Sequence, residues 1–166
     1  MDTQLTAKIL YRRDRKHEEG FTLIEMLVVI IIIGILSATA MPSFLNQAAK
    51  TRQSEAKNST GALNRAQQAY YLENQVFADD VNKLSVGVVN SVSYNYVVSG
   101  NDFINQVANL ATAQQADLKS YAGGVFKSAN NLTTVAILCE ANSAGNAPIN
   151  APTSASACAN GSQRMQ

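Results

Sequence analysis

A few side chains in this sequence are capable of specific chemistry. Glu25 is the one ionisable residue in the run Phe21–Ala40, FTLIEMLVVIIIIGILSATA. Cys139 and Cys158 are the two thiols, and His17 is the single imidazole. Asp79-Asp80 is the only adjacent pair of carboxylates after residue 20. A carboxylate in an apolar run calls for a cation, a helix N-terminus or a route to water. At the centre of a membrane span it costs about 2.5–3.5 kcal/mol, and less near an end. Two thiols offer a disulfide. One histidine and two cysteines fall short of a metal cluster or a histidine triad. Neighbouring carboxylates on an extended chain point to opposite sides, so Asp79 and Asp80 read as a loop or a helix-end cap. No nucleophile, base and orienting group stand together. The chain reads as a non-enzyme, with no catalytic residues, no metal and no cofactor.

The segment that holds Glu25 determines how the rest is read. Met26–Leu36 is an unbroken run of eleven residues, apolar apart from Gly34. Twenty helical residues rise about 30 Å, the thickness of a bilayer's hydrocarbon core. The run and its apolar flanks exceed the ~7–15 residues of a cleavable secretory signal's apolar region, and are longer than a core strand. The segment therefore predicts a membrane-spanning helix. Lys8, Arg12, Arg13, Arg15 and Lys16 precede it, so the positive-inside rule keeps the N-terminus cytoplasmic and exports the remainder of the chain. Within that polar segment His17 is one more polar residue. In an oxidising compartment Cys139 and Cys158 pair by default. The bridge closes a loop of about 20 residues and contributes roughly 3 kcal/mol in the chain-entropy view.

The composition agrees with this partition. The chain has 166 residues with a net charge of +1, and charged residues make up 15% of it. The 146 residues after Gly20 carry eight basic and eight acidic side chains. This near-neutral balance gives no support to nucleic acid as a partner. Beyond the span, Pro42 removes a backbone donor and favours a kink. Helix-forming residues resume over Ser43–Gln75, with Ala56, Leu63, Ala66 and Tyr70 as an apolar stripe and Arg52, Glu55, Asn58 and Arg65 outside it. Gly61 is the weak point there. A single helix from Phe21 to Gln75 would be roughly 80 Å long, beyond what a small domain can bury. Past Phe77, Val92, Tyr94, Tyr96 and Val98 alternate with Ser93, Asn95 and Val97 as a strand. Ser120–Lys127 and Leu132–Glu140 are further strands, with a turn at Asn130-Asn131. Val107–Thr112 fits either a strand or a short helix. From Ala141 onward the Ser/Ala/Asn/Pro-rich tail reads as loop. The expected fold is α+β, a long N-terminal helix packed on a small antiparallel sheet.

The junction Gly20-Phe21-Thr22-Leu23-Ile24-Glu25-Met26, with its basic leader, apolar span and following proline, resembles the signal and first helix of type IV pilins. Ser54–Tyr71 is similar to major pilins of cyanobacterial type, and the C-terminal cysteines resemble those that bound the variable loop of many pilins. Glu18 and Glu19 depart from the basic residues that many such leaders carry. The resemblance implies cleavage between Gly20 and Phe21 by a prepilin peptidase, followed by N-methylation of Phe21. It implies that Glu25 pairs with the Phe21 ammonium of a neighbouring subunit and so sets axial register. It also implies loosening of the helix around Gly34 and Pro42, with Gly34 equally a small residue for helix packing. The segments would be a leader (1–20), a transmembrane and assembly helix (21–42), an amphipathic half (43–77), a connecting loop with the sheet (78–138), and a disulfide-bounded loop and tail (139–166). Implied partners are copies of the chain in a helical homopolymer, the peptidase, an assembly platform with motor ATPases, and the inner membrane before export to the extracellular pilus. Motility, adhesion or DNA uptake are the implied uses. A minor pilin or a secretion pseudopilin is the alternative. A calcium-binding pseudopilin would want carboxylates in its last loop, and residues 141–166 have none. Asn58-Ser59-Thr60 and Asn131-Leu132-Thr133 match the N-glycosylation pattern, and Thr153 and Ser154 are candidate O-linked positions.

Overall fold

The computed structural model describes residues 20–130 and 133–165. The basic leader, His17, the Asn131-Leu132 half of the second glycosylation pattern and the far half of the Asn130-Asn131 turn lie outside them. The chain divides into two units, Met1–Ser43 and Phe44–Gln166. Helix α1, Leu23–Asn74, begins in the first and ends in the second.

In the first unit every described residue is exposed. α1 is long and apolar enough to cross a membrane by length and composition. Pro42 lies within the helix. Its missing N–H leaves the carbonyl four residues earlier, that of Ala38, without its helical donor.

The second unit packs the later part of α1 on one antiparallel sheet. Its strands are β1 (Tyr94–Ser99), β2 (Gln106–Ala113), β3 (Tyr121–Lys127), β4 (Thr134–Ala141) and β5 (Ser162–Arg164), and they neighbour one another in chain order. Val107–Thr112, for which the sequence allows strand or helix, is the body of β2. Val92 falls outside β1 and is 83% exposed. The tail differs from the loop expected of it. Ala141 belongs to β4, and Ser162–Arg164 pairs with Cys139–Ala141. Backbone hydrogen bonding to an open strand needs no apolar pattern, so SQR carries no strand signal in its side chains.

Between α1 and β1 the chain makes a single 3-10 turn, Val81–Leu84. Asp80 caps it by accepting the Asn82 N–H at 2.7 Å. Asp79 pairs with Lys83 at 2.6 Å. Two side chains from this connection cover the outer edge of β1. The Tyr96 N–H donates to Asn90 Oδ1 at 2.6 Å, and the Tyr94 N–H to Ser91 Oγ at 3.1 Å.

The helix face that meets the sheet is wider and more polar than its apolar stripe. Ala56 and Leu63 are fully buried, but so are Thr60 and Gln67, with Asn64 5% exposed. Each polar group has a partner. The Thr60 hydroxyl donates to the Ala56 carbonyl at 2.8 Å. Asn64 Nδ2 donates to the Ile137 carbonyl at 3.0 Å, and its Oδ1 accepts from Asn109 Nδ2 at 2.9 Å. Gln67 makes two bonds with the Ala78 backbone, each 2.9 Å. One residue of α1 thus grips β2 and β4 together, and another holds the chain after the helix. Gly123 of β3 makes room for this: a Cβ there would lie 2.1 Å from Asn64 Oδ1. The core is completed by Tyr94, whose ring stands 6.4 Å from that of Tyr96 and 6.3 Å from that of Tyr121, and by Tyr71 on Phe77 at 4.6 Å.

This packing has two measurable outcomes. Asn64→Ala removes a second bond to the Ile137 carbonyl, which still faces Gly124 across the β3–β4 ladder, and leaves the Asn109 Nδ2 without its partner. At about 1–3 kcal/mol for the stranded amide and about 1 kcal/mol for the other bond, urea unfolding in mild detergent should show a loss of about 2–4 kcal/mol. Gly123→Ala should be at least as damaging, because the clash is with a buried, bonded amide. A change within ~0.5 kcal/mol for either variant would refute this account of the interface.

The tyrosines give the second. Burial, with Glu140 adding to it, pushes the Tyr121 hydroxyl from 10.0 to about 12. Burial likewise raises Tyr94 and Tyr96. The fold therefore holds the neutral phenols. This stabilisation is complete below pH ~10 and is lost as pH climbs through about 12. In an alkaline absorbance titration the phenolates of these residues should appear together with loss of sheet circular dichroism. Their ionisation with the sheet intact would contradict it.

Candidate functional site

Gly20, Phe21 and Glu25 lie together at the start of the described residues of the first unit. Gly20 is exposed and precedes the helix, where a Cβ would meet nothing within 4 Å. Phe21 is 74% exposed. α1 starts at Leu23, so Thr22 stands at the N-cap and Glu25 three residues beyond it. That spacing is the capping box, in which the cap side chain serves the helix and the acidic side chain reaches back to the cap. The Thr22 N–H donates to Glu25 Oε2 at 2.8 Å, and the Thr22 hydroxyl donates to the same oxygen at 2.7 Å. In return the Glu25 N–H donates to Thr22 Oγ1 at 3.3 Å. Thr22 is a hydrogen-bonding neighbour of Glu25 that attention to charge alone overlooks, although the T-x-x-E spacing is a signal for it.

The arrangement has a chemical consequence. One carboxylate oxygen is occupied by Thr22, while Oε1 accepts from no described residue. The charge sits in the first turn, where the helix dipole favours an anion. Phe21, Ile24, Val28 and Val29 line a shallow apolar cleft beside it. An anion is thus held, half satisfied, on an otherwise apolar surface. Gly34 lies further along the same helix, exposed, where a Cβ would meet nothing within 4 Å.

Cys139 and Cys158 are joined in a disulfide, with Cα atoms 5.9 Å apart. Cys139 is fully buried in β4. The segment closed by the bridge is also fastened by packing, which departs from the expectation of a plain loop. Ile149 is buried with Ala122, Ile137 and Cys139. The Gly145 N–H donates to the Leu118 carbonyl at 2.9 Å, and Ser120 Oγ donates to the Ala147 carbonyl at 3.1 Å. These few apolar positions are too widely spaced to form a periodic signal.

The remaining candidate groups do not converge. Among the described residues no three His, Cys, Asp or Glu side chains come together to hold a metal. Asp79 and Asp80 serve the 3-10 turn. The first glycosylation pattern lies inside α1, with Thr60 fully buried and its hydroxyl bonded to Ala56. A threonine that must be read by a transferase is inaccessible there. Thr153 is exposed and its hydroxyl donates to the Ala157 carbonyl at 3.3 Å, while Ser154 is half-buried.

Comparison with known proteins accords with this geometry. A family model described as type IV pilin-like G and H matches residues 53–163. A second, the prokaryotic N-terminal methylation motif, matches residues 15–41. The chain is similar to the type IV major pilin protein PilA of Myxococcus xanthus (strain DK1622), at 37% identity over 68% of this chain and 49% of that protein. It is similar to the type IV major pilin protein PilE of Neisseria gonorrhoeae, at 35% identity over 48% of each. It is also similar to the type II secretion system core protein G of Vibrio cholerae, at 37% identity over 37% of this chain and 42% of that protein. The chain spans about half the length of the curated relatives it matches. No solved structure matches it. The match over the sheet-bearing part of the chain, and the methylation motif over its apolar start, mean that the chain belongs to the type IV pilin family.

Proposed function

We propose that the chain is the structural subunit of a type IV pilus. One observation carries the reading: fourteen large apolar side chains between Phe21 and Met41 are exposed, with Glu25 the only charge among them. Burying each is worth about 1.5–3 kcal/mol, so this surface does not stay wet. Lipid covers it first, and the same segment of neighbouring copies covers it in the filament. The precursor sits in the plasma membrane with its N-terminus cytoplasmic, and the mature form is extracellular. A prepilin peptidase removes residues 1–20 and methylates Phe21, leaving 21–42 as the membrane and assembly helix. A platform and motor ATPases drive export. Motility, adhesion and DNA uptake are the uses such a filament serves.

Glu25 is the proposed register element. In the free chain Thr22 occupies one of its oxygens. In the filament the carboxylate takes up the Phe21 ammonium of a neighbour, a charge-assisted bond that only the correct axial height allows. Gly34 and Pro42 are the proposed points of loosening when the helix packs against copies. The similarity to a type II secretion core protein favours a second reading, a minor pilin or pseudopilin that shares the same N-terminal machinery.

Mass spectrometry of filaments sheared from native cells decides between the readings. The expected result is an abundant chain beginning at N-methylated Phe21. A chain cut at Gly20 but confined to the membrane fraction would favour the pseudopilin, and an uncut chain in cells with active peptidase would overturn both.

Substitution separates pairing from capping. Glu25→Gln breaks a desolvated ion pair, costing about 3 kcal/mol or more, a factor of about a hundred or more in docking. Surface pili should vanish while cleavage and membrane insertion persist. Thr22→Ala removes a cap worth about 1 kcal/mol and should leave pili in place. Normal piliation with Glu25→Gln would sink the register role.

A further inference from the structure

The turn that leads into β5 contains Asn160-Gly161, the single Asn-Gly pair in the sequence. The Ser162 N–H donates to the Ala159 carbonyl at 3.1 Å across it. Gly161, third residue of that turn, has φ +86°, the conformation for which a type II turn selects glycine. Asn160 and Gly161 are both exposed. Among the described residues the Asn160 side chain has no hydrogen-bond partner, and neither has the Gly161 N–H. Every other asparagine of the chain is followed by a residue whose Cβ shields the next backbone nitrogen. Glycine has none.

We propose that Asn160 is a site of spontaneous deamidation through a cyclic imide. The Gly161 backbone nitrogen attacks Asn160 Cγ and loses its proton, a new C–N bond forms, and the Cγ–Nδ2 bond breaks to release ammonia. Water then opens the ring at either carbonyl. Opening at Cγ restores the normal chain as aspartate. Opening at the backbone carbonyl routes the chain through the side chain as isoaspartate, one carbon longer. The balance is one water consumed and one ammonia released, with no change of oxidation state.

The position gives the reaction structural effect. The Gly161 carbonyl accepts the Asn142 N–H at 3.0 Å, and the next residue, Ser162, pairs with Ala141. An extra backbone carbon here shifts the register by which β5 meets β4. Either product adds a negative charge to a segment, residues 141–166, that otherwise has no acidic side chain. The disulfide at Cys158, two residues before, keeps the altered end attached.

The test is to incubate the purified full chain in detergent, in mildly alkaline buffer made with oxygen-18 water, and to locate modification by fragmentation mass spectrometry. Asn160 should gain the mass of OH over NH2, about 1 Da plus the isotope. It should yield isoaspartate in excess of aspartate, and should convert several-fold faster than Asn142, Asn146 or Asn150. Asn160→Gln, which would need a larger ring, should lose the modification while keeping the disulfide and the circular dichroism of the parent. Conversion spread evenly over the asparagines, aspartate without isoaspartate, or an unchanged Asn160 would each overturn the proposal.

Discussion

The amide of Asn64 rests on a backbone position that has no side chain, and the second unit is organised around that close approach. Gly123 lets the helix come near enough for one side chain to reach the carbonyl of Ile137 and the amide of Asn109. These groups belong to β4 and β2, the strands on either side of Gly123's own strand. A helix could slide or rotate on a purely apolar sheet at little cost, because burial is non-directional. It cannot slide past a set of buried amides whose every bond depends on position. The hydrophobic contacts supply most of the energy, and the amides decide which of many similar packings is adopted.

This division explains how far the sequence was legible. The apolar helix and the place of Glu25 in its first turn are plain in the sequence, because a continuous stretch without charge has few physical outlets and a lone carboxylate within it has fewer. Tyr94, Tyr96 and their alternation marked β1 because one face is wet and the other buried. Asn64, Gln67 and Asn109 were not legible as core. Their types favour the surface, and their partners lie far along the chain, invisible to local periodicity. Gly123 looks like a strand defect for the same reason. Within β5 nothing in the side chains announces pairing, since the backbone of β4 supplies it.

The two units are built for different surroundings. Apart from the Ala38 carbonyl freed by Pro42, the first keeps its polar backbone atoms inside the helix and turns apolar side chains outward, as an oily environment requires. Its one charged side chain among the described residues of the span is placed at the helix start, where Thr22 and the dipole share it. The second follows the rules of a water-soluble domain, with a disulfide tying its last segment to β4. Glu25 Oε1 and the Asn160 side chain have no partner among the described residues, and both stand where the chain is exposed.

The covering of β1 has a consequence for encounters between copies of the chain. An uncovered strand edge would template sheet-to-sheet zipping, a growth mode with no defined end. Asn90 and Ser91 occupy the donors of Tyr96 and Tyr94 that such zipping would use. Two small side chains thereby close this part of the edge to a second sheet, and they leave no trace in the hydrophobic pattern.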